Sequence, residues 1–569
     1  MPNLAFDRYY RYEDLTRILR EFADEFPHLV QLESIGASHE GRAIWMATVT
    51  DRTTGPAEDK PAFWCDGNIH AGEVSASSAV LHILHTLCSG YGSDPDVTRA
   101  LATRTFYLAP RLNPDGAEWA LEDVPRIVRS GTRAYPYDED DPYGLERRDI
   151  DGDGRVLSMR VADPNGPWKI AEEEPRLMKR RAPGETGGTY YRVLPEGLFH
   201  HFDGLTMRGR RIKEGLDFNR NFPSAWRQEQ DQHGAGPFPT SEVEIRATVQ
   251  AICERPNICG AVTFHTFSGV HLRPPSRMPD DDIPAEDLWA YKTIGEKGTE
   301  LTGYPAISNY HEFRYHPKEV ITGVFDDWMY EHRGVYAWTT EIWSPQRQAG
   351  ITDYKYIDWF REHPFEHDVA LLKWSDEKLD GRGHVDWYPF EHPQLGPVEL
   401  GGWDAHYAFR NPPVQYLEQE IESFAPWVIW QALASPRLEL RAMLAEPIEG
   451  GIWRLRLAVQ NSGWLPTNVT KLAADRKLVR GVIGEIERED EALGGAGTDR
   501  PAWLHSGAIR QEVGQLRGWS GVPVSGFGWH MDATDDVAVF EWVVAPGAYR
   551  LVARHERAGV IRETIVAGI

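Results

Sequence analysis

The chain has 569 residues, 41% hydrophobic and 26% charged, with 21 Trp, 22 Tyr and 21 Phe. That composition excludes a mostly disordered chain and gives room for several folded units with sizeable cores. Its 61 Lys and Arg against 86 Asp and Glu leave a formal charge of −25, the wrong sign for a nucleic-acid footprint or an anionic membrane surface.

Residues 1–28 hold no apolar segment of the signal-peptide kind, and no run is long enough to span a bilayer, so a cytoplasmic protein is expected. Leu15, Ile18, Leu19 and Phe22 recur at helical spacing until Pro27, which predicts a helix over 13–25. Strands are expected at Leu29–Ile35, Ile44–Thr50 and Ala62–Ile69, then a helix over Val74–Leu87 and a strand within 103–112. Two more apolar strands follow, Asn257–His265 and Tyr336–Trp343. Strands with few charges, separated by helical stretches, predict an α/β unit whose sheet is buried on both faces. Cys65, Cys88, Cys253 and Cys259 have apolar neighbours and no CxxC spacing, which reads as buried free thiols in a reducing compartment.

The span of about 130–210 is dense in Pro, Gly, Asp, Glu and Arg and is expected to be a loop-rich insertion. Within it Asp149, Asp151 and Asp153 alternate ahead of Gly154, like the start of a calcium loop. The closing Glu of an EF-hand is missing, because Arg160 stands there, so a plain Asp/Gly turn is expected and structural Ca2+ is the alternative. Residues 366–414 read as extended structure, and 415–434 as a helix containing Trp427 and Trp430. Beyond about 435 short strands are expected at Gly451–Gln460, Arg480–Ile486, Val537–Val544 and Arg550–Ala553. Their alternation suits a β-sandwich. The expected division is 1–435 and 436–569, with Trp464 exposed in a turn.

Three patterns carry chemistry. In GNIHAGE, His70 and Glu73 close a strand just before a helix. Imidazole and carboxylate both bind zinc, and a hydrolytic zinc needs three protein ligands and one open position. The pair alone is common by chance. His265 is the candidate third ligand, because it too ends an apolar strand, and sites form where strand carboxyl ends converge. In GLDFNRNFP, Asn219 and Asn221 flank Arg220, whose guanidinium fork suits a carboxylate; the other reading is a structural arginine paired with Asp217. In YAWTTEIW, Glu341 sits among Trp338, Ile342 and Trp343, either satisfied structurally or acting as a base of raised pKa.

Together these pieces resemble the zinc carboxypeptidase family, the pancreatic-carboxypeptidase-like metallopeptidases, over roughly residues 6–350. The shared wording is His70-Ala71-Gly72-Glu73, Asn113-Pro114-Asp115-Gly116, Asn219-Arg220-Asn221-Phe222, His265, and Thr339-Thr340-Glu341. The opening also fits, with Tyr12, Leu15, Phe26-Pro27, Ile35-Gly36 and Glu40-Gly41-Arg42.

The resemblance implies a mixed, mostly buried eight-stranded sheet with helices on both faces. It implies one Zn2+ held by His70, Glu73 and His265, with Glu341 as general base for a zinc-activated water. Arg129, in RIVRSG, matches the arginine at the scissile carbonyl, with Arg126 and Arg133 as rivals. Asn219 and Arg220 would clamp the terminal carboxylate of a peptide substrate. Asp115 would accept the free N–H of His70, and Ser268 and Gly269 would line the channel. Asp326 falls at the base of the side-chain pocket, where it would favour a basic residue; the neighbouring Phe325 would favour an apolar one. The family's mobile tyrosine falls near Glu319, leaving Tyr315 and His316 as the nearest substitutes. The implied activity is hydrolysis of C-terminal peptide bonds. Two alternatives are a zinc amidase of the same fold acting on γ-glutamyl or D-amino-acid links of murein peptides, and a peptide-binding protein without catalysis.

Overall fold

The computed structural model describes residues 2, 4–135, 143–316, 318–489, 501–520 and 533–568. Its first helix, Tyr12–Glu25, buries Leu15, Ile18, Leu19 and Phe22 along one side, as a helical period requires. The strands Val30–Ala37 and Ala43–Val49 pair antiparallel, and the second continues onto Thr105–Ala109. Thr105–Ala109, Ala62–Gly67, Ile258–Thr266 and Tyr336–Ile342 then lie side by side and parallel. Val270–Arg273 and Ala306–Ser308 complete a mixed sheet of eight strands. Every residue of Ala62–Gly67 and Ile258–Thr266 is buried. Cover on both faces explains why these strands read as unbroken apolar runs rather than alternation.

The parallel register places the site. His265 pairs with Glu341 across one strand boundary, and Phe264 with Gly67 across the other. Three segments therefore reach the same carboxyl edge of the sheet. After Gly67 the chain turns through His70 and enters the helix Ser75–Gly90. Gly67 makes this turn feasible, since a Cβ there would stand 2.6 Å from the Ala76 carbonyl oxygen, inside any tolerable contact.

The insertion is more ordered than its composition implies. Its strands Ser158–Ala162, Trp168–Ile170, Met178–Arg180 and Tyr191–Pro195 join His384–His392 and Gly396–Trp403 in a six-stranded sheet. Beneath it Leu145, Met159, Val161, Phe199, Val398 and Leu400 form a small separate core. The span 366–414 is likewise not only extended, because it begins with the helix Phe365–Lys378. The helix expected over 415–434 is two, Val414–Ile421 and Phe424–Ala434.

From Leu438 onward two four-stranded sheets bury Leu455, Leu457, Phe540, Trp542, Tyr549 and Leu551 between them, as a β-sandwich does. Trp464 is not exposed: 7% of it is accessible, and its ring lies beside Trp289 and Trp430. The four cysteines are free; Cys65, Cys88 and Cys259 are buried, but Cys253, at the end of a helix, is exposed.

The sandwich is docked by buried charge. Asp287 accepts hydrogen bonds from the amides of Lys471 (2.6 Å) and Leu472 (3.0 Å). The Arg557 guanidinium donates to the carbonyls of Gly334 (3.0 Å) and Asn468 (2.9 Å), and to that of Arg333. Removing such a donor strands several buried acceptors. An Arg557→Met variant is expected to lose about 2–4 kcal/mol and to melt earlier in a thermal scan. An unchanged melting curve would show that these contacts do not hold the sandwich.

Candidate metal centre and active site

His70, Glu73 and His265 meet at the sheet edge, each no more than 2% exposed. His70 Nδ1 lies 3.0 Å from Glu73 Oε1, and His265 Nδ1 lies 3.1 Å from Glu73 Oε2. The two Nδ1 atoms are 3.0 Å apart. The amide of Thr266 donates to Glu73 Oε2 at 3.2 Å, and the amide of Ala71 to the carbonyl of Arg129 at 3.0 Å, which fixes the turn carrying the first two residues.

The chemistry of this donor set identifies what fits it. His70 Nε2 faces Asp217 Oδ1 at 3.1 Å, so the ring proton belongs on Nε2 and Nδ1 presents a lone pair. That lone pair points at a carboxylate oxygen and at a second imidazole nitrogen. With both rings neutral and their Nδ1 lone pairs turned inward, these acceptors repel unless a positive charge sits among them. Two imidazoles and one carboxylate are a zinc donor set that leaves one position open. Two further buried atoms, His265 Nε2 and Glu341 Oε2, have no hydrogen-bond partner.

Charge around the cluster is strongly organised. Burial opposes ionisation of Glu73, but His70 and His265 outweigh it and hold its carboxyl well below the usual range. Burial pulls the His265 imidazole down. Burial likewise opposes the Asp217 charge, and Arg129, Arg220 and His70 overcome it. Glu341 goes the other way: burial, then the neighbouring Glu73 charge, push its carboxyl well above the ordinary value.

Arg129 reaches the cluster, with Nη1 3.3 Å from Glu73 Oε1 and Nε 3.0 Å from Asp217 Oδ2. Its rivals do not. Arg126 pairs with Glu122 and lies over Trp119, and Arg133 pairs with Glu242. Asn219 Oδ1 accepts from the Phe325 amide at 2.9 Å, leaving its Nδ2 without a partner among the described residues. Arg220 donates to the Asn219 carbonyl at 2.7 Å and stands 3.9 Å from Asp217, too far for a tight ion pair.

Asp326, beside Phe325, is buried; Asn309 and the Asp327 amide donate to it, and burial raises it to about 6. Ser268 is also buried, its amide bonded to the Trp343 carbonyl at 2.8 Å. Tyr315 is 47% exposed, yet it sits in the field of Arg129, Arg220, Glu341 and Asp217. His316 is exposed, its ring accepting from the Lys318 amide and its carbonyl from the Glu319 amide.

One expectation is corrected. Asp115 does not touch His70: its carboxylate takes Ser38 Oγ, the Glu40 amide and Arg42, each at 2.7 Å. The partner of His70 is Asp217, which the sequence offered only as a mate for Arg220. The one other group of carboxylates close enough to hold a cation among the described residues is Asp149, Asp151 and Asp153. There Asp149 accepts the amides of Asp151, Gly152 and Gly154, as an Asp/Gly turn does, and the three carboxylates are also close enough together to hold a cation.

A family model described as zinc carboxypeptidase matches residues 15–362, and another, described as a domain of unknown function, matches residues 437–566. Carboxypeptidase D of Homo sapiens is 32% identical over 165 residues, 29% of this chain and 11% of the relative. The chain thus spans about a tenth of the length of that relative. Carboxypeptidase B of Astacus astacus is 26% identical over 345 residues, 59% of this chain and 86% of the relative. Among solved structures, thrombin activatable fibrinolysis inhibitor is 15% identical with a TM-score of 0.43, covering 75% of this chain and 74% of that one. The carboxypeptidase A of Helicoverpa armigera is 17% identical with a TM-score of 0.41, covering 75% and 73%.

An Asp217→Asn variant loses the acceptor that fixes the His70 tautomer. It is expected to bind zinc about 10–100-fold more weakly in competition with a chelating dye, a readout that needs no peptide. Unchanged affinity would remove Asp217 from the metal centre.

Proposed function

The chain belongs to the zinc carboxypeptidase family, and on that premise we propose that it is a zinc-dependent metallocarboxypeptidase that removes C-terminal residues from peptides. The observation that carries this reading is the buried His70–Glu73–His265 cluster with an unsatisfied Glu341 beside it and an unfilled guanidinium, Arg220, nearby. Zinc held by the three ligands would supply a Lewis acid and lower the pKa of water.

The chain's own residues do the rest. Arg220 and the free Nδ2 of Asn219 bind the terminal carboxylate. A guanidinium whose side chain is 9% exposed and lacks a close counter-ion disfavours any ligand without that carboxylate. This selects exopeptidase over internal cleavage. Glu341, made basic by burial and by Glu73, takes a proton from the attacking water and returns it to the leaving amine. Arg129, tethered by Asp217 and 35% exposed at its side chain, is positioned to donate to the carbonyl oxygen as charge develops there. Tyr315 closes over the bound substrate from the exposed side. In this reading Asp326 would be the selector for a basic last residue, with Ser268 beside it; the burial of both supports an interior position.

The change from α/β sheet to sandwich supports the division at 435/436, with the second unit accessory. Among the described residues no helix is long and apolar enough to cross a membrane. Four free cysteines fit a reducing, cytoplasmic setting. The Asp149 turn has no part in the chemistry.

The zinc-loaded protein, given a mixture of short L-peptides, is expected to release single C-terminal residues, Lys or Arg first, as followed by mass spectrometry. C-terminally amidated peptides should resist. A chelator should abolish release, and Glu341→Gln should slow it by about 10²–10⁴-fold. No release from free-carboxylate L-peptides would overturn the proposal, and activity confined to γ-glutamyl or D-residue links would replace it with the amidase reading.

A further inference from the structure

A cavity of about 590 Å3 lies between residues 125–128, the insertion and residues 404–410. Ile127 and Val128 form part of its wall and lead directly into Arg129. Arg410, from beyond the span the family model matches, stands where the cavity meets the cluster. A Cβ at Gly72, inside the His70–Glu73 turn, would stand 3.3 Å from both Cδ and Nη1 of Arg410. Glycine at 72 therefore leaves the space that this arginine fills. Neither Asn219 and Arg220 nor the cluster residues His70, Glu73 and His265 border the cavity, and Arg410, packed against Gly72, is what links it to the cluster.

The charges in this wall are unevenly satisfied. Arg126 pairs with Glu122, Arg155 with Asp153, and Arg210 with Glu146. Asp404 is used to accept the amides of His406 and Tyr407. Glu214 lies in the field of Arg126. Arg147 and Arg410 have no carboxylate within ion-pair distance among the described residues. Burial lowers the Arg410 pKa, and only the longer-range charges of Glu73 and Glu341 act against this. A guanidinium withdrawn from water without a counter-ion is costly, and a ligand carboxylate relieves that cost.

We propose that this cavity is the subsite for the substrate chain upstream of the scissile bond, and that Arg410, with Arg147 further out, selects an acidic side chain there. The inference rests on the carboxypeptidase reading for the direction of the peptide. With its terminal carboxylate on Arg220 and its last peptide bond at the cluster, the chain must leave past Arg410. In a protein of charge −25, Arg410 beside the metal-ligand turn and the exposed Arg147 further out form a local attractor for acidic peptides.

Two peptides test this, identical except for glutamate or glutamine at the two residues upstream of the scissile bond. The zinc-loaded enzyme is expected to favour the glutamate peptide by about tenfold in kcat/KM, mostly through KM. Arg410→Gln should bring that ratio close to one, Arg410→Lys should keep part of it, and Arg410→Glu should shift preference to the matching lysine peptide. Equal cleavage of the two peptides by wild type, or a preference that survives Arg410→Gln, overturns the subsite and leaves the carboxypeptidase reading intact. The same peptides are also titrated calorimetrically into Glu341→Gln, which reads binding without turnover. Tighter binding of the glutamate peptide there, lost when Arg410→Gln is added, supports the subsite even if no hydrolysis is seen, in which case only the carboxypeptidase reading fails. Equal binding, or no binding of either peptide, overturns the subsite.

Discussion

The active centre is organised around one buried carboxylate, Asp217. It lies 3.1 Å from His70 Nε2, accepts from Arg129 Nε at 3.0 Å, and accepts from the Asn219 amide at 2.9 Å. Those three contacts tie one carboxylate to a residue of the metal cluster, to the guanidinium beside it, and to the turn that carries Asn219 and Arg220. A buried carboxylate is tolerable only because positive groups surround it. Arg129, Arg220 and His70 stabilise its charge and are in turn fixed by it. The metal cluster and the turn carrying Asn219 and Arg220 are thereby tied to each other through one group.

The sheet provides the other constraint. Parallel pairing brings His265 and Glu341 into register, and the turn after Gly67 delivers His70 and Glu73 to the same edge. Rigid, fully buried strands place side chains more narrowly than loops do. The variable parts, the six-stranded insertion sheet and the segment through Arg410, are added around this edge. They border the cavity beside the cluster and contribute none of the three residues that form it.

The sequence made the central strands legible because buried parallel strands carry long apolar runs, and it made the ligands legible because each closes such a run. Ala62–Gly67 and Ile258–Thr266 fall within two residues of the expected spans. The insertion strands were hidden for the opposite reason. Trp168–Ile170 and Met178–Arg180 have three residues each, include Lys or Arg, and belong to a sheet completed by residues about 200 positions later. Asp115 was expected as the partner of His70 and Asp217 only as a mate for Arg220; both are acids inside shared motifs, and distance in the fold assigns the contact to Asp217. Arg410 had no local signal at all. Its meaning comes from the glycine at 72, which makes room for it across the fold.

The central claim is that His70, Glu73 and His265 hold one zinc ion. Anomalous diffraction measured on both sides of the zinc edge, from crystals of the protein purified without chelator, tests it most directly. The account predicts one strong zinc peak per chain, within about 2.0–2.2 Å of His70 Nδ1, His265 Nδ1 and a Glu73 oxygen, with Glu341 outside the coordination sphere. A zinc peak elsewhere in the chain, or none at this cluster after zinc is supplied, would contradict it.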